Sequence, residues 1–188
     1  LLDVAKLCES PKYAEFSEDM FNMILTEAQK FATEEIFPTL TEADKEGCRL
    51  EDGQVIVPKV FHRPYKLFCE GGWMGMSKSP EVGGQGLPLT ISTAAKDWFM
   101  HNFGFIAFPG LTEGASHLIE AFGTEAQKKK YMMRMNTGEW SGTMCLTEPS
   151  AGSDLAGLRT SAVKQGNEWV VNGQKIWTSG AQWCEWGI

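Results

Sequence analysis

The stretch Met144-Cys145-Leu146-Thr147-Glu148-Pro149-Ser150-Ala151-Gly152-Ser153-Asp154 decides how this chain is read, because a short apolar strand runs into a proline stop and a turn of small residues. Pro149 lacks a backbone donor and pushes Glu148 toward extended geometry, so the strand ends there. Ala151, Gly152 and Ser153 leave their N–H groups unshielded, the condition under which a phosphate can approach the main chain. Taken alone, the same residues also describe a tight turn between two strands.

Working outward from that stretch, the two sides of the chain have different periods. Beyond Gly138 short strand-like runs are divided by Gly, Asn and Ser: Thr143 to Thr147, Leu158 to Lys164, Glu168 to Val171 and Lys175 to Thr178. The turns Gln165-Gly166-Asn167 and Asn172-Gly173 hold residues that hairpins favour at positive φ, so the tail reads as an antiparallel β meander. Before it the period is helical. Phe21, Ile24, Leu25, Ala28, Phe31, Ala32 and Ile36 form one apolar face between Ser17 and Phe37, with Ser17-Glu18-Asp19 as cap and acidic first turn and Pro38 as the expected end. Thr41 to Pro58 reads mostly as loop, and a short helix is expected from Pro64 to Gly71-Gly72, with Trp73 beneath it.

The glycine-rich segment Ser79 to Pro88 lacks both nucleotide-loop spacings and reads as a plain connection. A helix follows over residues 89–103, placing Ile91, Ala94, Ala95, Trp98 and Phe99 on one face, and Pro109-Gly110 separates it from another over Thr112 to Phe122. Thr124-Glu125-Ala126-Gln127 has the form of a capping box, so a further helix opens at once, with Lys128-Lys129-Lys130 as its solvated face. The boundary falls near residue 140, between a helical domain (1–139) and a partial β domain (140–188).

Bulk properties narrow the function classes. A net charge of −7 argues against a nucleic-acid or anionic-membrane surface, and no apolar run approaches the roughly 20 residues that span a bilayer. The expected location is cytoplasmic. The five cysteines, Cys8, Cys48, Cys69, Cys145 and Cys184, are scattered without C-x-x-C spacing, and His62, His101 and His117 join no cluster, so no metal is expected. A chain that starts without Met and stops at Trp186-Gly187-Ile188, inside an apparent new strand, reads as a fragment.

Leu146-Thr147-Glu148-Pro149-Ser150-Ala151-Gly152-Ser153-Asp154, followed by Asn172-Gly173-Gln174-Lys175-Ile176-Trp177-Thr178-Ser179-Gly180, resembles the flavin-binding signature of acyl-CoA dehydrogenases. Glu70-Gly71-Gly72-Trp73, Gly83-Gly84-Gln85-Gly86-Leu87-Pro88, Gly138 to Met144 and Trp183-Cys184-Glu185-Trp186 look most like the branch that includes 3-methylmercaptopropionyl-CoA and long-chain enzymes. The resemblance implies an α+β fold: an all-α N-terminal domain, then the start of an antiparallel β-barrel-like middle domain, with the family's C-terminal helical domain absent. Two departures stand out. Val82 occupies a position where relatives often carry an aromatic, and His62-Arg63-Pro64 interrupts a helix that usually runs unbroken.

Carried over by position, the resemblance implies that Met144 to Ser153 lies along FAD. Leu146 gives backbone contacts, Thr147 places a hydroxyl near flavin N5, and Gly152 and Ser153 meet the pyrophosphate. Ser153 also touches the acyl-CoA. Trp177 covers one side of the isoalloxazine, with Thr178 and Ser179 along its edge. Glu148 and Asp154 support the loop, and the base that removes the substrate α-proton is supplied after the β domain, so no catalytic residue is assigned here. The implied reaction is α,β-dehydrogenation of an acyl-CoA thioester within fatty acid metabolism, with hydride passing to flavin N5 and electrons to an acceptor such as an electron-transfer flavoprotein. The implied assembly is a homodimer or homotetramer, in the mitochondrial matrix if the source is eukaryotic. Two other readings remain open: an acyl-CoA oxidase or other flavoprotein of the same fold, and a non-catalytic fragment or interaction module with an open cofactor cleft.

Overall fold

The computed structural model describes residues 3–181 and the backbone of residues 186 and 187. Trp183, Cys184 and Glu185, which entered the resemblance, lie outside the described residues. Helix α1 (Glu18–Phe31) starts where Ser17 Oγ accepts the Met20 N–H at 3.2 Å, with Glu18 and Asp19 complementing the exposed N–H groups of the first turn. It buries Phe21 and Ala28 and packs against α4 (Leu89–Phe99).

Pro38 does not end this helical run. The chain passes through a π-helical stretch (Ala32–Ile36) and a 3-10 turn (Phe37–Thr39) into α2 (Leu40–Glu46). Proline is tolerated because it sits in the first turn of the new segment, where its missing N–H has no partner to lose. The buried Thr39 hydroxyl holds the junction, donating to Ile36 O at 2.6 Å and accepting from Asn102 Nδ2 at 3.0 Å.

The expected loop after residue 41 likewise contains structure. Beyond α2, strands β1 (Arg49–Glu51) and β2 (Gln54–Ile56) form a hairpin in the register Arg49↔Ile56. Asp52 and Gly53 turn it at φ of 50° and 78°, the two left-handed positions of a type I′ turn. Helix α3 (His62–Glu70) follows a 3-10 turn, with Pro64 buried in its first turn rather than opening it.

The sequence also predicts a break at Pro109-Gly110, yet α5 (Phe103–Phe122) runs straight through. A proline inside a helix costs about 3 kcal/mol. Here the helix carries Phe105, Ile106, Pro109, Thr112, Ala115 and Ser116 into the interior as one stripe. Burying two large apolar side chains, at about 1.5–3 kcal/mol each, already offsets that cost. The capping box at Thr124 and Gln127 closes with both reciprocal bonds, and α6 (Glu125–Gln127) continues through a π-helical stretch into α7 (Met133–Asn136).

The continuous hydrophobic core lies within the helical half. Phe68 packs edge-on against Phe99 at 5.3 Å and Phe105 at 5.9 Å, and Trp73 packs on Phe99 at 5.2 Å. The β portion is a set of strand pairs rather than the expected meander. β3 (Gly142–Thr143) pairs in parallel with β6 (Trp186–Gly187), and β4 (Ser161–Gln165) pairs with β5 (Glu168–Asn172) in an antiparallel hairpin that turns at Gly166, φ 62°. Residues 144–147 and 175–178 lie in no strand ladder. Their N–H and C=O groups serve other bonds, which build the candidate site.

Candidate functional site

β3 is seated on α5 by small groups. The Gly142 N–H donates to Thr112 Oγ1 at 3.1 Å, and a Cβ on Gly142 would lie 2.5 Å from the Ala115 methyl. Only glycine permits this approach, which fixes where residues 143–154 leave the helical domain. Thr143, buried at the next position, donates its hydroxyl to Ser179 O at 2.6 Å and so ties the first motif segment to the second.

Two further bonds extend that seam. Ile176 N–H donates to Thr147 O at 2.9 Å, and Lys175 Nζ donates to Leu146 O at 3.0 Å. At the proline, Glu148 and Ala151 exchange both backbone bonds, at 2.8 and 3.2 Å, closing the tight turn. The turn returns Gly152 to Thr147: a Cβ on Gly152 would touch Thr147 Cγ2 at an ordinary 3.5 Å.

The buried carboxylate in this arrangement is Glu148, 4% exposed. Its Oε2 accepts the Arg159 N–H at 2.7 Å, while Oε1 accepts the Thr160 N–H at 2.9 Å and a hydrogen bond from Lys175 Nζ at 2.9 Å. The Thr160 hydroxyl beside it, the Lys175 ammonium and the Arg159 and Thr160 N–H groups hold its carboxyl down at about 2, against the opposing effect of burial. Three chain segments therefore meet at one ionised group. Gly173 completes the packing, because a Cβ there would strike Thr160 Oγ1 at 2.1 Å.

The residues singled out from the sequence sort into two sets around this knot. Thr147 and Gly152 are half-buried within it, whereas Met144 is 56% and Trp177 83% exposed and Leu146 also faces outward. Trp177 takes φ of 58°, a conformation uncommon for a bulky residue, and its carbonyl accepts the Ser179 N–H at 3.0 Å. Thr178 is half-buried, and Ser153 and Ser179 are exposed. Asp154, exposed, stands clear of the Glu148 knot; its carbonyl accepts the Gly157 N–H. Sequence reasoning missed Lys175, Thr143, Arg159 and Thr160. Lys175 and Glu148 lie 27 residues apart, so no local period marks them as partners.

An apolar cleft of about 480 Å³ opens beside this seam. Val57, Phe61, Tyr65, Phe108 and Leu111 line it from the helical side, together with Gly142 of β3 and Gly180 of the second motif segment. Among the described residues there is no cluster of His, Cys, Asp and Glu able to hold a metal ion, and no helix long and apolar enough to cross a membrane.

Residues 18–139 match the family model of the acyl-CoA dehydrogenase N-terminal domain and residues 143–188 that of the middle domain. The chain belongs to the acyl-CoA dehydrogenase family. It is 40% identical over 166 residues to 3-methylmercaptopropionyl-CoA dehydrogenase of Ruegeria pomeroyi, covering 87% of this chain and 28% of that protein. It is 33% identical over 163 residues to (R)-benzylsuccinyl-CoA dehydrogenase of Thauera aromatica, covering 84% and 40%. The fold superposes on the crystal structure of an acyl-CoA dehydrogenase complexed with FAD from Bacillus anthracis, with a TM-score of 0.76, 30% identity and coverage of 93% of this chain and 29% of that one. Butyryl-CoA dehydrogenase from Megasphaera elsdenii gives a TM-score of 0.74 at 26% identity, covering 90% and 43%. The chain thus spans well under half the length of each. The shared architecture is a helical N-terminal domain followed by the start of the sheet domain.

Proposed function

We propose that these residues form the flavin-binding side of an FAD-dependent acyl-CoA dehydrogenase, which oxidises an acyl-CoA thioester to its trans-2-enoyl product. One observation carries the reading: hydrogen bonds join the two motif segments into a single surface, on which Met144, Leu146 and Trp177 present apolar groups to solvent beside Thr147 and the Gly152 turn. Exposed large apolar side chains next to backbone and hydroxyl groups fit a flat aromatic cofactor with a polar edge. The donor set fits FAD on those grounds.

In this reading Trp177 covers the ring, Thr147, Thr178 and Ser179 line its edge, Met144 and Leu146 lie along it, and Gly152 and Ser153 meet the pyrophosphate. Ser153 also contacts the thioester substrate. Bound FAD supplies the hydride acceptor, at N5. Thr147 holds a hydroxyl where negative charge grows during reduction, which lowers the barrier electrostatically. The cleft beside Gly142 and Gly180 offers apolar volume for the acyl chain.

No described residue is assigned as the base. Glu148, the buried carboxylate beside Thr147, accepts three hydrogen bonds and is held at about 2, which makes it a poor proton acceptor. Its part is to hold the loop. An electron-transfer flavoprotein as acceptor, a homodimeric or homotetrameric assembly, residues 1–139 and 140–188 as separate domains and a cytoplasmic or mitochondrial-matrix location complete the proposal.

The test is an anaerobic visible spectrum of the full-length protein with a panel of saturated acyl-CoA thioesters. An oxidised flavin band bleached by one of them supports the dehydrogenase. Absence of flavin after incubation with FAD, or a flavin that no thioester bleaches, overturns it.

A further inference from the structure

Lys175 is the residue whose connections the proposed chemistry leaves unused. Its side chain is 23% exposed, and its ammonium bridges two acceptors, Glu148 Oε1 at 2.9 Å and Leu146 O at 3.0 Å. Leu146 C=O belongs to the same peptide unit as the Thr147 N–H, and the Thr147 carbonyl at the other end of that residue takes the Ile176 N–H at 2.9 Å. A cation hydrogen-bonded to a carbonyl draws electron density toward the oxygen, so the N–H of that peptide becomes a stronger donor. Glu148 keeps the cation in place while two N–H donors, from Arg159 and Thr160, share its negative charge.

We propose that Lys175 is a positioning and tuning residue, which acts through the Leu146–Thr147 peptide to strengthen the donor edge at Thr147 and thereby favours reduction of the bound flavin. This rests on the flavin reading above. Glu148 has the companion part: it fixes the Lys175 ammonium over Leu146 and limits how much positive charge reaches the edge. The pair thus links the geometry of the two motif segments to the electronic demand of the reaction. Neither side chain needs to touch substrate for this, and neither exchanges a proton.

The experiment measures the flavin reduction potential of the full-length, FAD-loaded protein by equilibration with a reference dye, without acyl-CoA. Lys175→Met keeps an unbranched side chain of nearly the same length and removes the charge, so its two-electron potential should fall by about 30 mV, a tenfold loss in the reduced-to-oxidised ratio. Lys175→Arg should stay near the unaltered value, because a guanidinium can reach both acceptors. A merely structural role would loosen FAD without moving the potential of the flavin that remains bound.

Equal potentials in the unaltered protein and Lys175→Met overturn the proposal. Should Lys175→Met retain no FAD, Lys175→Gln, which keeps a hydrogen-bond donor without the charge, decides: a lowered potential supports the tuning role, and an unchanged or raised one overturns it. If the unaltered protein holds no flavin, the flavin reading itself has failed, an outcome distinct from failure of the tuning role.

Discussion

Glu148 is legible in the sequence only as a carboxylate in a turn, but its surroundings give it a measurable signature. The Thr160 hydroxyl, the Lys175 ammonium and two backbone N–H groups lower its carboxyl from the usual 4.5 to about 2. In the folded protein it therefore binds a proton less readily than in the unfolded chain. Its contribution to stability is full above about pH 4.5, and it is lost as pH falls from there through about 2. Denaturation of the unaltered protein and Glu148→Gln at a series of pH values should give the largest difference near neutrality, shrinking below pH 4.5. A difference independent of pH between 6 and 3 would remove the ionised carboxylate from the explanation. Glu148 also shows why the site was half visible. Thr147, Gly152 and Trp177 carry a signature of residue type and spacing, whereas Lys175, Thr143 and Thr160 act through contacts made across 12 to 36 residues of chain, which no local pattern encodes.

Among the elements, α5 is the one on which the site depends, and its start is set by Asn102. The Asn102 side chain accepts the Phe105 N–H at 3.2 Å and donates to Thr39 Oγ1 at 3.0 Å, with the residue 2% exposed. A lost cap costs about 0.5–2 kcal/mol and a lost buried hydrogen bond about 0.5–1.5 kcal/mol. Asn102→Ala should accordingly destabilise the protein by about 1–3.5 kcal/mol in chemical denaturation, and Asn102→Asp by less, since it keeps the cap. Equal losses would show that the cap contributes nothing. The helical half was read well wherever a face and a cap coincide, as in α1 and at Thr124. It was misread at Pro38 and Pro109, where tertiary burial overrides the local break, and at Asp52-Gly53, whose hairpin signal is plain but whose flanking strands are only three residues each.

The cleft belongs to the same scale, because α5 forms one wall of it through Phe105, Phe108 and Leu111. On the proposed reading, replacing Leu111 with Trp should fill part of the 480 Å³ and shift preference toward shorter acyl chains. Relative rates across a series of acyl-CoA chain lengths provide the measurement. An unchanged profile, with the protein folded, places the acyl chain elsewhere.

Across the whole molecule, burial is divided unevenly between the two halves. The continuous core extends from Phe21 to Ile106 and lies wholly in the helical part, while β3 covers one edge of that part at Thr112, Ala115 and Met135. Every residue of β4 and β5 is exposed, with Trp169 at 63%, Val171 at 64% and Val163 at 54%. Such a hairpin, with open edges and apolar side chains in water, is the kind of surface that pairs with another chain. Two polypeptides separate these properties. Residues 1–139 expressed alone should be monomeric and unfold cooperatively, because the core is wholly contained in them. Residues 1–188 should self-associate and bind an apolar dye, and Val163→Lys with Val171→Lys should reduce both effects. Light scattering at increasing concentration gives the answer: if 1–188 stays monomeric and 1–139 is the piece that aggregates, the β portion completes the helical core instead of awaiting a cover of its own.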